Sequence, residues 1–233
     1  EKVKPMATAV YLNNPRLKAA GVTIRFTQHQ ITEWAKCSLD VEYFITKYVK
    51  IVHVDRGVIK FDLFDFQREI VEVFKNERRV IVKLPRQMGK TTTTAAFFLW
   101  YILFHDNKVT AILANKAATA REILSRLKMA YEHLPLWLQQ GITEWNKGSI
   151  ELENGSRVLA AATSSSGIRG YSLSLVFLDE FAHVQNNIAE EFFTSIYPTI
   201  SSGKDTKILI ASTPNGMNHY YRFWQEADQG RNG

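Results

Sequence analysis

One stretch of this sequence, residues 79–94, constrains the fold more than any other. Its first part, residues 80–84, is a short run rich in β-branched apolar residues, which is the pattern of a strand buried on both faces. An apolar segment over residues 92–104 is long enough for a helix. The tight loop between them contains a Gly-Lys-Thr triplet at residues 89–91. A strand, a loop whose N–H groups turn inward and a helix N-terminus together form a cradle for an anion.

This loop matches the phosphate-binding (P-loop) pattern only in part. Lys90 is placed to reach the β- and γ-phosphates of a nucleotide, and the Thr91 hydroxyl to bind Mg²⁺. The pattern begins with a glycine six residues before its lysine, where this chain has Leu84, and Pro85 and Arg86 replace the usual small residues. Because a bare Gly-Lys-Thr is frequent by chance, an ordinary strand–turn–helix with a solvated lysine is the alternative, and a second site must decide.

Two adjacent carboxylates, Asp179 and Glu180, form that second site. They follow a second buried strand, predicted over residues 173–178, and ligands of open α/β sheets collect at the carboxyl ends of strands. Asp179 can therefore hold the Mg²⁺ that bridges the phosphates, and Glu180 can polarise an attacking water. The alternative is an acidic helix N-cap. Both motifs in this order, about 90 residues apart with β/α units between them, predict an NTP hydrolase.

Length and composition limit the class of protein. The 233 residues suit one α/β domain with an appended lobe, and 45% hydrophobic residues suffice for a substantial core. The formal charge of +6 leans mildly toward a polyanionic partner. The single cysteine, Cys37, excludes an internal disulfide and a multi-cysteine metal site. Since no stretch approaches about 18 uncharged apolar residues, no membrane span is expected.

Hydrophobic periodicity predicts the other elements. Amphipathic patterns indicate helices over residues 28–48, 64–76, 116–133, 187–196 and 217–227, with Thr32 or Ser38 able to interrupt the first. Apolar runs indicate strands over residues 109–114, 149–152, 157–162 and 207–211. Residues 51–62 are expected to form a short strand or hairpin, and residues 1–27 to be partly ordered.

Polar residues outside the two motifs extend the candidate site. Gln67 opens a helix ahead of the loop, so its amide can read the N6 and N7 edge of adenine while Phe64 or Phe66 stacks on the base. Arg169 lies in a loop of small polar residues that can place an arginine at a subunit edge. The turn at residues 212–216 can sense a γ-phosphate. The alternatives are a surface glutamine, a surface arginine and a simple Pro-Asn-Gly turn.

Four motifs agree with one family. They are Phe-Gln-Arg at residues 66–68, Pro-Arg-Gln-Met-Gly-Lys-Thr at 85–91, Val-Phe-Leu-Asp-Glu at 176–180 and Ser-Thr-Pro-Asn-Gly at 212–216. With them the chain resembles the ATPase domain of a tailed-phage large terminase, the DNA-packaging motor, and especially those of T4-like phages. A phosphate loop that contains arginine and glutamine and lacks its first glycine is typical of that family. The resemblance spans roughly residues 62–224.

The resemblance implies a fold and a function. The fold is a RecA/ASCE-type P-loop NTPase, with a central mostly parallel sheet flanked by helices over residues 61–233 and a small N-terminal helical lobe over residues 1–60. The function is Mg-ATP hydrolysis that powers translocation of double-stranded viral DNA into a procapsid, in the host-cell cytoplasm at the procapsid portal. The implied partners are DNA, the portal protein, the small terminase subunit and further copies in a ring (pentamer), with no membrane. The family's C-terminal nuclease domain is expected to be absent from this chain, which we expect to be a piece of a longer protein.

The resemblance also implies a role for each matching residue. The nucleotide-binding set is Gln67, for adenine, and Arg86, Gln87, Met88, Gly89, Lys90, Thr91 and Thr92, with Arg86 near the γ-phosphate. The Mg²⁺ ligands are Thr91 and Asp179. The catalytic carboxylate is Glu180, and the finger arginine is either Arg169, which some terminases supply to a neighbour's active site, or Arg86. The coupling motif, which links hydrolysis to movement, is Ser212, Thr213 and Asn215.

Three other functions fit parts of this pattern. A superfamily-2-like helicase or nucleic-acid remodeller has a glutamine ahead of its loop and an Asp-Glu pair, but it needs a second RecA-like lobe that 233 residues do not hold. A nucleotide-gated scaffold has no use for a water-polarising carboxylate such as Glu180. A small-molecule P-loop kinase needs a lid of clustered arginines, which the sequence lacks.

Overall fold

A computed structural model describes residues 10–164, 168, 170–201 and 203–231. The strands are β1 (Lys50–His53), β2 (Gly57–Lys60), β3 (Arg79–Lys83), β4 (Val109–Ala114), β5 (Ile142–Trp145), β6 (Ser149–Leu152), β7 (Arg157–Ala162), β8 (Leu175–Asp179) and β9 (Lys207–Ser212). The α-helices are α1 (Gln28–Leu39), α2 (Val41–Tyr48), α3 (Asp65–Asn76), α4 (Lys90–Phe104), α5 (Ala117–Glu132), α6 (Asn186–Ser195), α7 (Tyr197–Ser201) and α8 (His219–Asp228).

Seven of the described strands form one mostly parallel sheet, in the order β3-β9-β8-β4-β7-β6-β5. The first five are parallel, and β6 and β5 continue the sheet antiparallel. The register pairs Lys83 with Ser212 and Asp179 with Ala211. Because parallel strands end at the same edge, the loops after β3, β9 and β8 meet there. The mostly parallel α/β fold predicted above is therefore confirmed.

The strands and helices predicted from periodicity agree with the structure to within two residues at each end, except at the N-terminal helix. The strand β5 was not predicted, because it is short, carries polar residues and has a register shift between Ile142 and Glu144. The helix α7, which has five residues, was also not predicted.

The helix predicted over residues 28–48 is two helices. Asp40 separates them with a non-helical backbone (φ −124°, ψ 102°), and its side chain accepts a hydrogen bond from the Tyr43 N–H at 2.9 Å. Aspartate is a strong N-cap, so the backbone leaves the helix there and starts a new one. Thr27 caps α1 in a reciprocal capping box with Gln30. Thr32 and Ser38, which were candidate interruptions, instead donate to carbonyls within α1.

The helix α4 begins at the loop that the sequence predicts to bind phosphate, and it is apolar on all sides. Every residue from Thr93 to Leu103 is buried, as expected of a helix covered all round. It packs against α2, α3 and α5, so the N-terminal helices and the sheet share one core, with Phe44 and Phe97 among its fully buried members. No helix in the described part of the chain is both long and apolar enough for a membrane span.

Candidate active site

The loop between β3 and α4 contains two residues with a left-handed backbone and ends at a helix N-terminus. Gly89 is the N-cap of α4 and has φ +69°, and Gln87 also lies in the left-handed region with φ +64°. A Cβ on Gly89 would stand 2.5 Å from the Gln67 Nε2. Position 89 therefore favours glycine for two reasons, its positive φ and the close approach of the Gln67 side chain. The first N–H groups of α4 lack intrahelical partners, so this helix end attracts an anion.

Gln67 ties this loop to the start of α3. Its Oε1 accepts a hydrogen bond from the Phe64 N–H at 3.1 Å, and its Nε2 donates to the Met88 carbonyl at 3.2 Å. The residue is only 3% exposed. Beyond these two bonds the amide retains one N–H and one oxygen lone pair.

A cavity of about 620 Å³ lies between this loop and the β1–β2 hairpin. Aromatic rings form part of its wall: Phe64 and Phe66 stack with centroids 5.9 Å apart and planes 8° apart, and Phe64 is 66% exposed. Gln87 and Met88 line it from the phosphate loop. An exposed aromatic face beside a phosphate cradle is suited to a planar base.

Lys90 brings the two sequence motifs together. Its Nζ lies 2.5 Å from the Glu180 Oε1 and 3.1 Å from the Asp179 Oδ1. All five residues of β8 are buried, so Asp179 is held at the end of a core strand. The strand β9 separates β3 from β8, and the long Lys90 side chain reaches from the loop after β3 to the carboxylates.

The two adjacent carboxyl groups have pKa values shifted in opposite directions. Burial raises the pKa of Asp179, and the nearby Lys90 offsets this only in part. Burial also acts to raise the pKa of Glu180, but hydrogen bonds from Lys90 and Thr213 outweigh it and leave that pKa below its usual value. Glu180 is therefore ionised at neutral pH, so that it can accept a proton and both its oxygens can accept hydrogen bonds.

The predicted coupling motif directly contacts Glu180. The Glu180 Oε2 accepts from the Thr213 N–H and from the Thr213 Oγ1, each at 3.0 Å, and lies 3.3 Å from the Ser212 Oγ. Glu180 has a left-handed backbone (φ 49°, ψ 42°), which is costly for a residue with a side chain. Asn215 lies farther from the carboxylate and donates to the Ala182 carbonyl at 3.2 Å.

Sequence reasoning missed two residues of this region. The His183 Nε2 lies 2.9 Å from the Thr213 Oγ1 and 3.6 Å from the Glu180 Oε2. The buried Tyr220 hydroxyl donates to the Val82 carbonyl at 2.8 Å, joining α8 to the phosphate-loop strand. A histidine three residues after the predicted catalytic carboxylate was the available signal for His183, whereas the contact of Tyr220 depends on long-range packing.

Three of the remaining predicted site residues lie in or beside the loop between β3 and α4. Arg86 is exposed on the phosphate loop and makes no hydrogen bond or ion pair within the described residues. Thr91 lies half-buried in the first turn of α4, and the Thr92 Oγ1 accepts from the Arg126 Nη1 at 2.8 Å. Arg169 lies outside the described residues.

The donor set fits a magnesium ion. The Asp179 Oδ1 is buried and, beyond its ion-pair contact with Lys90, has no hydrogen-bond partner in the described part of the chain. The other predicted oxygen ligand, Thr91, lies half-buried in the first turn of α4. The described residues contain no cluster of three His, Cys, Asp or Glu side chains that could hold a metal. Mg²⁺ is usually held by one or two protein oxygens together with substrate phosphates, so this sparse set suits it.

Comparison with known proteins finds similarity to the large terminases of bacteriophages. A family model described as "Terminase large subunit, T4likevirus-type, N-terminal" matches residues 81–232. The HK97 bacteriophage large terminase has a similar structure, with a TM-score of 0.70 and 20% identity over 84% of this chain and 42% of that chain. The large terminase ATPase domain of Thermus phage P74-26 gives a TM-score of 0.58 and 22% identity, over 70% and 69% of the two chains.

A third similar structure is the large terminase of a thermophilic bacteriophage in complex with ADP. It gives a TM-score of 0.55 and 13% identity, over 72% of this chain and 44% of that chain. Identities this low show a shared fold. The chain spans less than half the length of the HK97 protein and of this ADP-bound terminase.

Proposed function

The chain belongs to the T4-like family of terminase large subunits, and from this we propose that it is the ATP-hydrolysing part of a motor that moves double-stranded viral DNA into a procapsid. One observation carries the proposal. Lys90 of the phosphate loop contacts both Asp179 and Glu180, at 3.1 and 2.5 Å. The residues proposed to hold the metal and to orient the water therefore both contact the lysine that is proposed to bind phosphate.

ATP binds with its base in the cavity beside Phe64 and Phe66 and with its phosphates at the N-terminus of α4. The aromatic rings stack on the base. The remaining N–H and lone pair of the Gln67 amide are the pair that readout of adenine N7 and N6 requires. The loop residues Arg86, Gln87, Met88, Gly89, Lys90, Thr91 and Thr92 surround the phosphates.

Mg²⁺ would be held by Thr91 and Asp179. When bound, the ion neutralises negative charge on the phosphates and on the groups that develop charge during transfer. The buried Asp179 Oδ1 supports this assignment, because its one contact among the described residues is Lys90 at 3.1 Å, and it needs another partner once Lys90 turns to a phosphate.

Glu180 accepts a hydrogen bond from the attacking water and orients it toward the γ-phosphate. Its lowered pKa keeps it ionised for this task. Lys90 occupies its Oε1 at 2.5 Å, so we propose that Lys90 exchanges the carboxylate for a phosphate oxygen when ATP binds. That exchange frees the Glu180 Oε1 for water at the moment when the substrate is in place.

The coupling motif carries the effect of hydrolysis into the sheet. Ser212 ends β9, and Thr213 holds the other oxygen of Glu180 through its N–H and its hydroxyl. A shift of the carboxylate therefore changes contacts at the end of a central strand. The working unit in this proposal is a pentameric ring, with the portal protein, the small terminase subunit and DNA as partners, in the host cytoplasm at the portal.

Substitution of Glu180 tests the proposed function. We expect Glu180→Gln to bind Mg-ATP with near-normal Kd but to lose roughly 10²-fold or more in kcat, the scale of a positioned acid–base group. We expect Lys90→Ala to lose ATP binding itself. The measurements are steady-state ATPase activity with Mg²⁺ and the equilibrium Kd of a fluorescent ATP analogue.

Glu190→Gln is the matched control, because Glu190 lies on α6 with its side chain 67% exposed. It should leave both quantities unchanged. Normal turnover by Glu180→Gln would refute the catalytic role. Binding without turnover by the wild-type protein at every concentration would favour the nucleotide-gated scaffold instead.

A further inference from the structure

A histidine outside the predicted catalytic set stands behind the catalytic carboxylate. His183 ends the 3-10 turn Phe181–His183 that follows Glu180, and its own N–H donates to the Glu180 carbonyl at 2.9 Å. This turn folds the imidazole back, so that its Nε2 lies 2.9 Å from the Thr213 Oγ1. The same Nε2 is 3.6 Å from the Glu180 Oε2, which is beyond hydrogen-bond distance.

The number of protons on these three side chains determines which group donates in each hydrogen bond. An ionised carboxylate can only accept hydrogen bonds. The Thr213 hydroxyl therefore donates its single proton to the Glu180 Oε2 at 3.0 Å. The Thr213 Oγ1 must then accept from His183, whose Nε2 therefore carries a proton. The three side chains form a one-way chain from imidazole to hydroxyl to carboxylate.

We propose that His183 is a positioning residue for the proposed ATPase reaction and acts on Glu180 through Thr213. This inference rests on the proposed function. Without a donor to its oxygen, the O–H bond of a threonine can turn among several staggered positions. A donor on its far side fixes the hydroxyl toward the Glu180 Oε2.

The carboxylate needs such support because it depends on its Thr213 bonds once Lys90 turns to the phosphates, and because its backbone is strained. Its Oε1 contacts Lys90, and its Oε2 takes two bonds from Thr213. Glu180 also lies in the left-handed backbone region, a conformation that persists only when the surroundings over-determine it. Loss of the His183 bond releases the hydroxyl, and the carboxylate then samples orientations that do not direct a water at the phosphate.

The first test separates chemistry from nucleotide binding. We expect His183→Leu to lower kcat roughly tenfold, within the range that coupled hydrogen-bond networks give, while the Kd for an ATP analogue stays within about twofold. His183→Gln should recover most of the activity, because the glutamine Nε2 is as many bonds from the backbone as the imidazole Nε2 and carries an N–H. His219→Leu is the matched control, since His219 also lies 3.6 Å from a glutamate, Glu190, but far along the chain from Glu180.

A double-mutant cycle identifies the route of the effect. Thr213→Val removes the hydroxyl and keeps the backbone N–H. If His183 acts through that hydroxyl, His183→Leu should cost little more in the Thr213→Val background, so that the two effects are strongly non-additive. Additive losses, no loss in His183→Leu, or no recovery in His183→Gln would each overturn the proposal.

A readout without turnover keeps this inference distinct from the proposed function. In a spectrum of the ¹⁵N-histidine-labelled protein, we expect a proton on the His183 Nε2 whose exchange with solvent accelerates in Thr213→Val but not in His219→Leu. A bare Nε2 with the proton on Nδ1 refutes the positioning chain even if ATP hydrolysis is normal. Absence of wild-type ATPase activity with the expected Nε2 proton refutes the proposed function and removes the catalytic part of the role.

Discussion

At the residue scale, Gly89 shows why the predicted phosphate loop can keep its backbone without the first glycine of the usual pattern. The usual pattern uses two glycines, and here Leu84 replaces the first. The second is Gly89, which has φ +69°, and a Cβ added there would lie 2.5 Å from the Gln67 Nε2. Leu84 belongs to the end of the strand instead, where its N–H donates to the Ser212 carbonyl at 3.3 Å.

Substitution of Gly89 should separate backbone strain from loss of the cradle. Gly89→Ala forces a side chain into the left-handed region, which costs about 1–2 kcal/mol, and displaces the Gln67 amide from Met88. We therefore expect lower stability in urea unfolding and at least tenfold weaker binding of an ATP analogue.

Gly21→Ala is the control, because Gly21 has a similar φ of +76° with no atom within 4 Å of the added Cβ. It should show a similar loss of stability and unchanged nucleotide binding. Equal nucleotide affinity in both variants would contradict the importance of the Gln67 contact.

At the element scale, α1 and α2 are held together by one buried carboxylate. Glu33 on α1 is 4% exposed and accepts hydrogen bonds from Lys47 at 2.7 Å, from Tyr48 at 2.6 Å and from Tyr43 at 2.9 Å, all on α2. These bonds, led by that of Lys47, outweigh burial and lower the pKa of Glu33 from 4.5 to about 2. A charge of this kind is tolerable in a core only because its partners satisfy it.

The depressed pKa of Glu33 predicts how stability depends on pH. Since its folded pKa lies below the unfolded value, the stabilisation is fully present above about pH 4.5 and is lost as pH falls toward 2. We expect Glu33→Gln to lower the urea midpoint at pH 7 and to flatten its decline between pH 4.5 and 2.5. Glu69→Gln, at an exposed site on α3, should keep the wild-type decline, and an unchanged pH profile in Glu33→Gln would contradict this account.

At the scale of the whole molecule, the parallel sheet places the ends of three strands at one edge. The proposed motor also requires an arginine at this edge, and two candidates differ in origin. Arg86 is exposed on the chain's own phosphate loop. Arg169 is proposed to act on the active site of a neighbouring copy in the ring.

Mixing inactive variants distinguishes these two arginines. If Arg169 acts in trans, wild-type specific activity should rise with protein concentration, and Arg169→Ala alone should lose about 10³-fold or more, as removal of an arginine finger does. A mixture of Arg169→Ala and Glu180→Gln should regain activity, because each copy supplies what its neighbour lacks. Arg86→Ala mixed with Glu180→Gln is the control and should stay inactive. Activity independent of concentration and retained in Arg169→Ala would instead identify Arg86 as a finger in cis.

The sequence by itself determined the local parts of this protein. The β-branched run before the loop, the Gly-Lys-Thr triplet and the buried strand ending in Asp179 and Glu180 each predict structure from neighbouring residues, because strand and helix periodicity is a local property. The same reasoning failed at residue 40, where a single N-cap divides one amphipathic pattern into two helices.

Only the tertiary structure decided which of these parts touch. The strand β9 inserts between β3 and β8, and this order brings Thr213 to Glu180, 33 residues away in sequence. The contact of His183 with Thr213 and that of Gln67 with the phosphate loop depend on the same packing of distant elements. Strand order and side-chain direction depend on burial of the whole core. A local pattern could therefore show a histidine three residues after Glu180, but not its contact with Thr213, which in turn donates to Glu180.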